Sequence, residues 1–189
     1  MEPTFNGLGI APALLDILAR ANFKTPTPIQ IQAIPQALED KDVVGIAQTG
    51  TGKTLAFAIP ILQRLQRAKG RALIVAPTRE LALQIEEMVQ KIGRPFGVRT
   101  VVIMGGASMG MQIQKLRQNP RVIIATPGRL LDHLEQRTLR LTDIQIVVMD
   151  EADRMFDMGF MPAIKKIFAA LPPQSARQTM LFSATMPPN

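Results

Sequence analysis

Cysteine, tryptophan and tyrosine are all absent from this 189-residue chain, and histidine occurs once. Without cysteine there is no disulfide and no thiolate metal site, which agrees with a cytosolic protein. Phenylalanine is the only aromatic, so recognition of nucleobases by rows of stacked rings fits poorly, and contact with a nucleic-acid backbone fits better. No apolar run is long enough to span a bilayer. The first residues, Met1-Glu2-Pro3-Thr4-Phe5, lack the basic and apolar regions of a signal peptide. The expectation is a cytoplasmic protein with no membrane partner.

The length suits one α/β domain with a sizeable core, or a fragment of something larger. A formal charge of +7 is compatible with a polyanionic partner, nucleic acid foremost, and equally with a soluble protein that has none. Short β-branched runs alternate with helical periods along the whole chain. Val43–Ile46, Ala72–Val75, Val98–Ile103, Val122–Ala125, Ile144–Met149 and Met180–Phe182 read as strands. Such runs between amphipathic segments predict a parallel sheet covered on both faces. Ligands of such sheets bind beyond the carboxyl ends of the strands, where the polar motifs of this chain also fall. The ending Met186-Pro187-Pro188-Asn189 reads as the start of a linker.

The most informative motif is Ala47-Gln48-Thr49-Gly50-Thr51-Gly52-Lys53-Thr54. It matches the phosphate-loop pattern except that Ala47 stands where the pattern has its first glycine. Gly50 and Gly52 let the backbone bend and point N–H groups at phosphate oxygens. Lys53 can reach the outer phosphates, and the Thr54 hydroxyl can ligate Mg²⁺. An apolar strand precedes the motif and the helical run Leu55-Ala56-Phe57-Ala58 follows it, so a helix N-terminus would face the phosphates.

Asp150-Glu151-Ala152-Asp153 follows a strand that is apolar apart from Gln145 and that delivers two carboxylates to the same sheet edge. One can support magnesium while the next orients and deprotonates water. Upstream, Phe23-Lys24-Thr25-Pro26-Thr27-Pro28-Ile29-Gln30 is a rigid turn feeding a helix. Thr27 suits the N-cap and Pro28 the first helical position. The Gln30 amide offers a donor and an acceptor, matching the edge of adenine, and Phe23 could stack on a base. From the residues alone, a helix start explains this stretch better than base recognition does. His133 lies beside Leu131 and Leu134 with no partner evident in the sequence, Lys165-Lys166 reads as a solvated face, and Met155 to Met161 as core and loop contacts.

Taken together, these motifs resemble the first RecA-like domain of a DEAD-box RNA helicase, over nearly the whole chain and most closely the bacterial members. Gln30 with its Pro-Thr-Pro-Ile lead resembles the Q motif, and Phe5 its isolated upstream aromatic, placing that motif at about 5–30. Ala47 to Thr54 resembles motif I, Pro77-Thr78-Arg79-Glu80-Leu81-Ala82 motif Ia, and Gly105-Gly106 the GG step. Thr126-Pro127-Gly128-Arg129 resembles motif Ib, Asp150 to Asp153 spells the family name, and Ser183-Ala184-Thr185 resembles motif III. Asn22 stands where the family usually has glycine, and asparagine tolerates the left-handed region well.

The resemblance implies ATP and Mg²⁺ as ligands. Phe23, Thr25 and Gln30 would hold adenine, and Thr49, Gly50, Thr51, Gly52, Lys53 and Thr54 the phosphates. Thr54 and Asp150 would hold magnesium, partly through water, with Glu151, Lys53 and Asp150 as the catalytic set. Pro77, Thr78, Arg79, Gly106, Thr126, Gly128 and Arg129 would grip the sugar-phosphate backbone of single-stranded or duplex RNA. Asp153, Ser183 and Thr185 would couple the nucleotide state to domain closure. For the loop residues the alternative from the sequence is turn-and-cap chemistry. The family's second, C-terminal RecA-like domain, with its arginines for the γ-phosphate, is absent from these residues. The chain is therefore expected to be a monomeric ATP-binding half with little or no unwinding activity of its own. A DNA-directed helicase domain of the same superfamily, and a non-enzymatic RNA-binding module, are the competing expectations.

Overall fold

The computed structural model describes residues 3–185, so the expectation for the chain's last four residues, 186–189, lies outside it. Six strands form one sheet: β1 (Val43–Ile46), β2 (Arg71–Val75), β3 (Thr100–Ile103), β4 (Val122–Ala125), β5 (Ile144–Met149) and β6 (Gln178–Ser183). Their spatial order is β1-β6-β5-β2-β4-β3, and every pairing is parallel. The expected strands are present, with β3 starting later and β6 earlier than the apolar runs alone indicate. Gln178 is buried at the start of β6 because its Nε2 donates to the carbonyls of Ala37 (2.9 Å) and Lys41 (2.7 Å). That is a tertiary bond that no apolar pattern announces.

Alternation along the strands divides the core in two. Ile74, Ile124, Val148 and Phe182 face helices α1 (Pro12–Arg20), α2 (Pro28–Leu38), α3 (Lys53–Arg67) and α4 (Arg79–Gly93). Leu73, Ile123 and Val147 face the other way, against α6 (Pro127–Glu135), α7 (Ala152–Asp157) and α8 (Met161–Ala169), while α5 (Met109–Arg117) contributes Leu116 at the margin. Both faces are therefore covered over the middle of the sheet, as continuous apolar strands require, whereas on edge strand β1 Val44 and Ile46 remain exposed. Among the described residues no helix is long and apolar enough to cross a membrane.

Ladder hydrogen bonds continue one residue past the strands. Ala47 N–H donates to the Ser183 carbonyl (2.9 Å), Ala76 to Ala125 (2.9 Å), Thr126 to Ile103 (2.9 Å) and Asp150 to Val75 (3.0 Å). The first residue of each of these loops is thus fixed by the sheet itself. Asn22 adopts φ 66°, the left-handed conformation anticipated for it.

Gly45, in β1, is packed so closely that a Cβ there would lie 2.6 Å from the Phe182 ring and 3.2 Å from Ile29. Gly45→Ala should destabilise the fold by about 1–3 kcal/mol through overpacking. Urea unfolding measures this directly, and an unchanged midpoint would mean that the strand shifts to make room.

Candidate functional site

At the carboxyl end of β1 the chain turns through Gly50 (φ 82°) and Gly52 (φ 89°) into α3. Gly52 is the N-cap and Lys53 the first helical residue, so the helix opens two residues before the apolar run at Leu55. Lys53 is buried, and its Nζ has no hydrogen-bond partner among the described residues. An unpaired buried ammonium is costly, and anionic oxygens beside it would relieve that cost.

Opposite lie Asp150 and Glu151, both buried at the end of β5. Burial pushes the Asp150 carboxyl up from 3.8 to about 6, with the Lys53 charge opposing and the Glu151 charge adding to the shift. Its Oδ1 accepts the Glu151 N–H at 3.0 Å. Glu151 sits in the left-handed region (φ 53°), which for a residue with a Cβ costs on the order of 1–2 kcal/mol. One of its oxygens accepts from the Thr49 hydroxyl at 3.3 Å and the other pairs with Arg154 at 3.3 Å. The strained backbone and two tethers aim this carboxylate back over the phosphate loop.

Gln30 completes the set from α2. Its Oε1 accepts the Thr27 N–H (2.9 Å) and its Nε2 donates to the Gly52 carbonyl (3.0 Å). A backbone donor at one end and a backbone acceptor at the other fix which amide atom is which. Each still has one hydrogen-bonding valence free. The helix-start reading and the base-recognition reading therefore describe the same side chain: Gln30 caps α2 and lines the site.

These groups share one open cavity of about 440 Å³. Phe5, Phe23, Thr25, Thr27 and Gln30 line it together with Thr49, Gly50, Gly52, Lys53 and Thr54 of the phosphate loop and with Asp150 and Glu151. Leu81, Gln84 and Met88 of α4 also line it. Leu81 belongs to the stretch that resembles motif Ia, and the helical period that Leu81 and Met88 follow is the sequence signal for this wall, while nothing in the sequence singles out Gln84. Lys91 Nζ lies 4.9 Å from the centre of the Phe23 ring. Thr51 stands apart, because its hydroxyl donates to the Gln48 carbonyl (2.6 Å).

No group of three or more His, Cys, Asp or Glu residues gathers into a metal cage among the described residues. Magnesium needs no such cage, since one carboxylate, one hydroxyl, phosphate oxygens and water satisfy it. Asp150 and Thr54 on one cavity wall, with a buried carboxyl whose ionisation a cation would favour, fit that donor set.

The loops after β2, β3 and β4 form a second group along the same sheet edge. Pro77 is buried, and the Thr78 hydroxyl accepts from Leu81 N–H (3.2 Å), so cap chemistry is present there. Arg79 is exposed, and its guanidinium occupies the space a Cβ on Gly106 (φ 75°) would need. Arg129 donates from Nη1 to the Ala107 carbonyl (2.8 Å) and pairs with Asp132 at 3.5 Å. Thr126 caps α6 without a side-chain bond, and Gly128 is exposed at its start.

Motif III joins the acidic motif as anticipated. Asp153 Oδ2 accepts from Thr185 N–H (3.1 Å) and the Thr185 hydroxyl (3.0 Å), while Asp153 N–H donates to Ser183 Oγ (3.3 Å). Burial works to raise the Asp153 pKa, but hydrogen bonds from Ser183, Thr185 and the Arg154 backbone outweigh it and hold the carboxyl below its usual range. His133 is fully buried, with both ring nitrogens hydrogen-bonded. The sequence pointed to no partner for it, because Gln112 and Thr138 reach it only through the fold. Met155 is core, as expected, whereas Met158 is exposed.

The family model for the DEAD/DEAH box helicase matches residues 27–189. The chain belongs to the DEAD/DEAH box helicase family. It is 47% identical over 189 residues to the DEAD-box ATP-dependent RNA helicase CshA of Bacillus subtilis, covering 99% of this chain and 38% of that protein. It is 50% identical over 186 residues to the ATP-dependent rRNA helicase RRP3 of Debaryomyces hansenii, covering 97% of this chain and 39% of that one. The crystal structure of a DEAD box protein from the hyperthermophile Methanococcus jannaschii superposes with a TM-score of 0.90 at 37% identity, over 97% of this chain and 50% of that one. The RecA-like parallel-sheet fold is thus shared, and the chain spans about two fifths of the length of these curated relatives.

With nucleotide and magnesium absent, ionising Asp150 works against the fold. A folded pKa near 6 against 3.8 means the folded state holds its proton longer, so stability falls as pH rises from about 4 to 6. Asp150→Asn should be nearly neutral at pH 4. At pH 8 it should stabilise by about 1–3 kcal/mol, the upper end being the full shift with no loss of attraction to Lys53. Thermal melts at the two pH values decide it, and equal destabilisation at both would show that the carboxylate is not strained by burial.

Proposed function

We propose that this chain is the ATP-binding half of a DEAD-box RNA-dependent ATPase, holding ATP-Mg²⁺ in the cavity beside the phosphate loop and the RNA sugar-phosphate backbone on the neighbouring loops. The observation that carries this reading is the buried, unpartnered Lys53 ammonium facing Asp150 and Glu151 across a cavity that Gln30 also lines. The two relatives named above are an ATP-dependent RNA helicase and an ATP-dependent rRNA helicase, which supports the assignment. Residues 1–189 are read as one N-terminal RecA-like domain, acting with a second such domain.

In this mechanism Phe23, Thr25 and Gln30 hold adenine, and Thr49 to Thr54 hold the phosphates. Gln30 presents its free N–H and lone pair to the base edge, in an orientation that the Thr27 and Gly52 backbone fixes in advance. Lys53 and the N–H groups at the start of α3 neutralise phosphate charge. Magnesium, when bound at Thr54 and Asp150, supplies further charge neutralisation on the phosphate oxygens. Glu151 orients the attacking water and takes its proton as the oxygen bonds to the γ-phosphorus and ADP leaves. The Asp153–Ser183–Thr185 bonds link the acidic loop to the end of β6, where closure against a second domain would be sensed. Arg79 and Arg129, with the N–H groups at Thr126–Gly128 and the bare Gly106 backbone, contact RNA phosphates rather than base edges.

Guanine reverses the donor and acceptor that Gln30 meets, leaving polar groups unmatched at a cost of about 1–3 kcal/mol. ADP should bind correspondingly tighter than GDP by calorimetry, and Gln30→Ala should shrink that gap. Equal affinities in the unaltered chain would remove adenine recognition from the proposal.

Turnover is a separate matter, because the transition state needs positive charge on the γ-phosphoryl oxygens beyond what Lys53 supplies, and that has to come from outside these residues. The chain alone should bind nucleotide yet show almost no RNA-stimulated ATPase activity. Fused to its second domain it should turn over, and Glu151→Gln in that fusion should keep binding while lowering hydrolysis by about 10²–10⁴-fold. Robust RNA-stimulated turnover by residues 1–189 alone would overturn the two-domain mechanism.

A further inference from the structure

His133 is the chain's only histidine, fully buried in α6 some distance from the nucleotide cavity. Its Nε2 lies 3.0 Å from Gln112 Oε1 and its Nδ1 lies 2.7 Å from Thr138 Oγ1. Gln112, itself buried in α5, donates from Nε2 to the carbonyl of Met104 at 2.8 Å. Met104 immediately precedes Gly105-Gly106.

The direction of every bond follows from its last acceptor. A carbonyl only accepts, so the Gln112 NH₂ group must face Met104 and its oxygen must face His133. That oxygen also only accepts, so His133 carries its proton on Nε2. In a neutral ring Nδ1 is then a bare lone pair, and the Thr138 hydroxyl donates to it at 2.7 Å rather than to the His133 carbonyl, which lies 3.1 Å from the same hydroxyl. Burial, first, and the Arg129 charge, second, push the imidazole pKa below its usual value despite Asp132, which keeps the ring neutral as this arrangement needs. The result is a one-way chain from Thr138 through His133 and Gln112 to the backbone of the loop at 104–107. The same helix grips the other end of that loop, through Arg129 Nη1 to the Ala107 carbonyl (2.8 Å). Ser108 then caps α5, its hydroxyl accepting Met111 N–H at 3.4 Å.

We propose that Gln112 and His133 are positioning residues for RNA binding: they tie the Met104 carbonyl to α6 and so hold the Gly105-Gly106 step in the shape that grips the RNA backbone. Gly106 needs such support. It sits at positive φ with the Arg79 guanidinium packed where a side chain would be, so it has no side chain of its own to anchor it. A loop of four residues between a strand end and a helix cap loses most of its freedom when both of its ends are tied to a packed helix. This inference rests on the reading of the β2, β3 and β4 loops as the RNA face.

The variants are Gln112→Met, which keeps length but cuts the tie, and the double variant Gln112→Met with His133→Leu, which also removes the imidazole left unpaired. Amide hydrogen exchange at 105–107, affinity for a fluorescently labelled single-stranded RNA, ADP affinity and melting temperature are measured for both. Gln112→Met should accelerate exchange at 105–107 by about tenfold or more. It should weaken RNA binding by about five- to tenfold and leave ADP affinity within about twofold. The double variant should recover melting temperature yet keep fast exchange and weak RNA binding. A merely structural role predicts instead that RNA affinity returns with stability, and that result would overturn the proposal. Unchanged exchange at 105–107 in Gln112→Met would overturn it equally. Arg79→Ala separates this from the underlying reading. If Gln112→Met loosens the loop while only Arg79→Ala weakens RNA binding, the positioning role falls and the RNA face stands. If neither variant affects RNA, the RNA face itself is wrong and the positioning role falls with it.

Discussion

Four backbone hydrogen bonds, from Ala47, Ala76, Thr126 and Asp150 to carbonyls of neighbouring strands, hold the first residue of four loops in the sheet ladder. Parallel pairing makes this possible, because it brings every strand's carboxyl end to one edge. A loop whose first residue is still in the ladder begins at a known place and in a known direction. Asp150 shows what this achieves. Its backbone is fixed to Val75, its carboxylate caps the Glu151 N–H, and Glu151 is thereby turned into a left-handed conformation that would otherwise be avoided. Side-chain chemistry at this edge is accurate because backbone chemistry placed it.

The same edge concentrates like and unlike charge under low dielectric. Lys53, Asp150 and Glu151 are all buried, with no ion pair of hydrogen-bonding length between Lys53 and either acid. Pairing them tightly would have stabilised the fold and dulled the site. Held apart, they leave an ammonium that favours phosphate and a carboxyl whose ionisation favours a metal, so ligand binding resolves an imbalance that folding leaves open. Stability is spent on function at this one place, and the buried apolar residues of the neighbouring strands supply it.

Local signals carried most of this into the sequence. Strand ends followed by Gly-rich or acidic clusters located the edge, Thr27 and Pro28 marked a helix start, and Asn22 announced a left-handed residue. What escaped was made by distant partners. The tie from Gln178 to α2 spans 141 positions to Ala37, and the Gln112–His133 contact spans 21. Polar side chains in apolar surroundings reveal that a bond must exist, since an unsatisfied buried amide or imidazole is costly, but not which partner satisfies it. Arg129 shows the limit from the other side. Its charge and its place at a helix start point outward to phosphate, yet part of its guanidinium is already committed to the Ala107 carbonyl and to Asp132.

Helix α4 gives the two groups of loops a common element. Its first residue, Arg79, packs on Gly106 on the side proposed for RNA, while Leu81, Gln84 and Met88 along its length line the cavity beside the phosphate loop. The helix is clamped against the sheet by Ala82, Ile85, Val89 and Ile92, all fully buried, and packing this close transmits strain along its length. A ligand that shifts α4 at one place therefore displaces Arg79 or the cavity wall at the other. Whatever coupling free energy follows is reciprocal: the factor by which nucleotide tightens RNA must equal the factor by which RNA tightens nucleotide. On the proposed assignment, the packing of one amphipathic helix, rather than any contact between the two ligands, is then what would couple them.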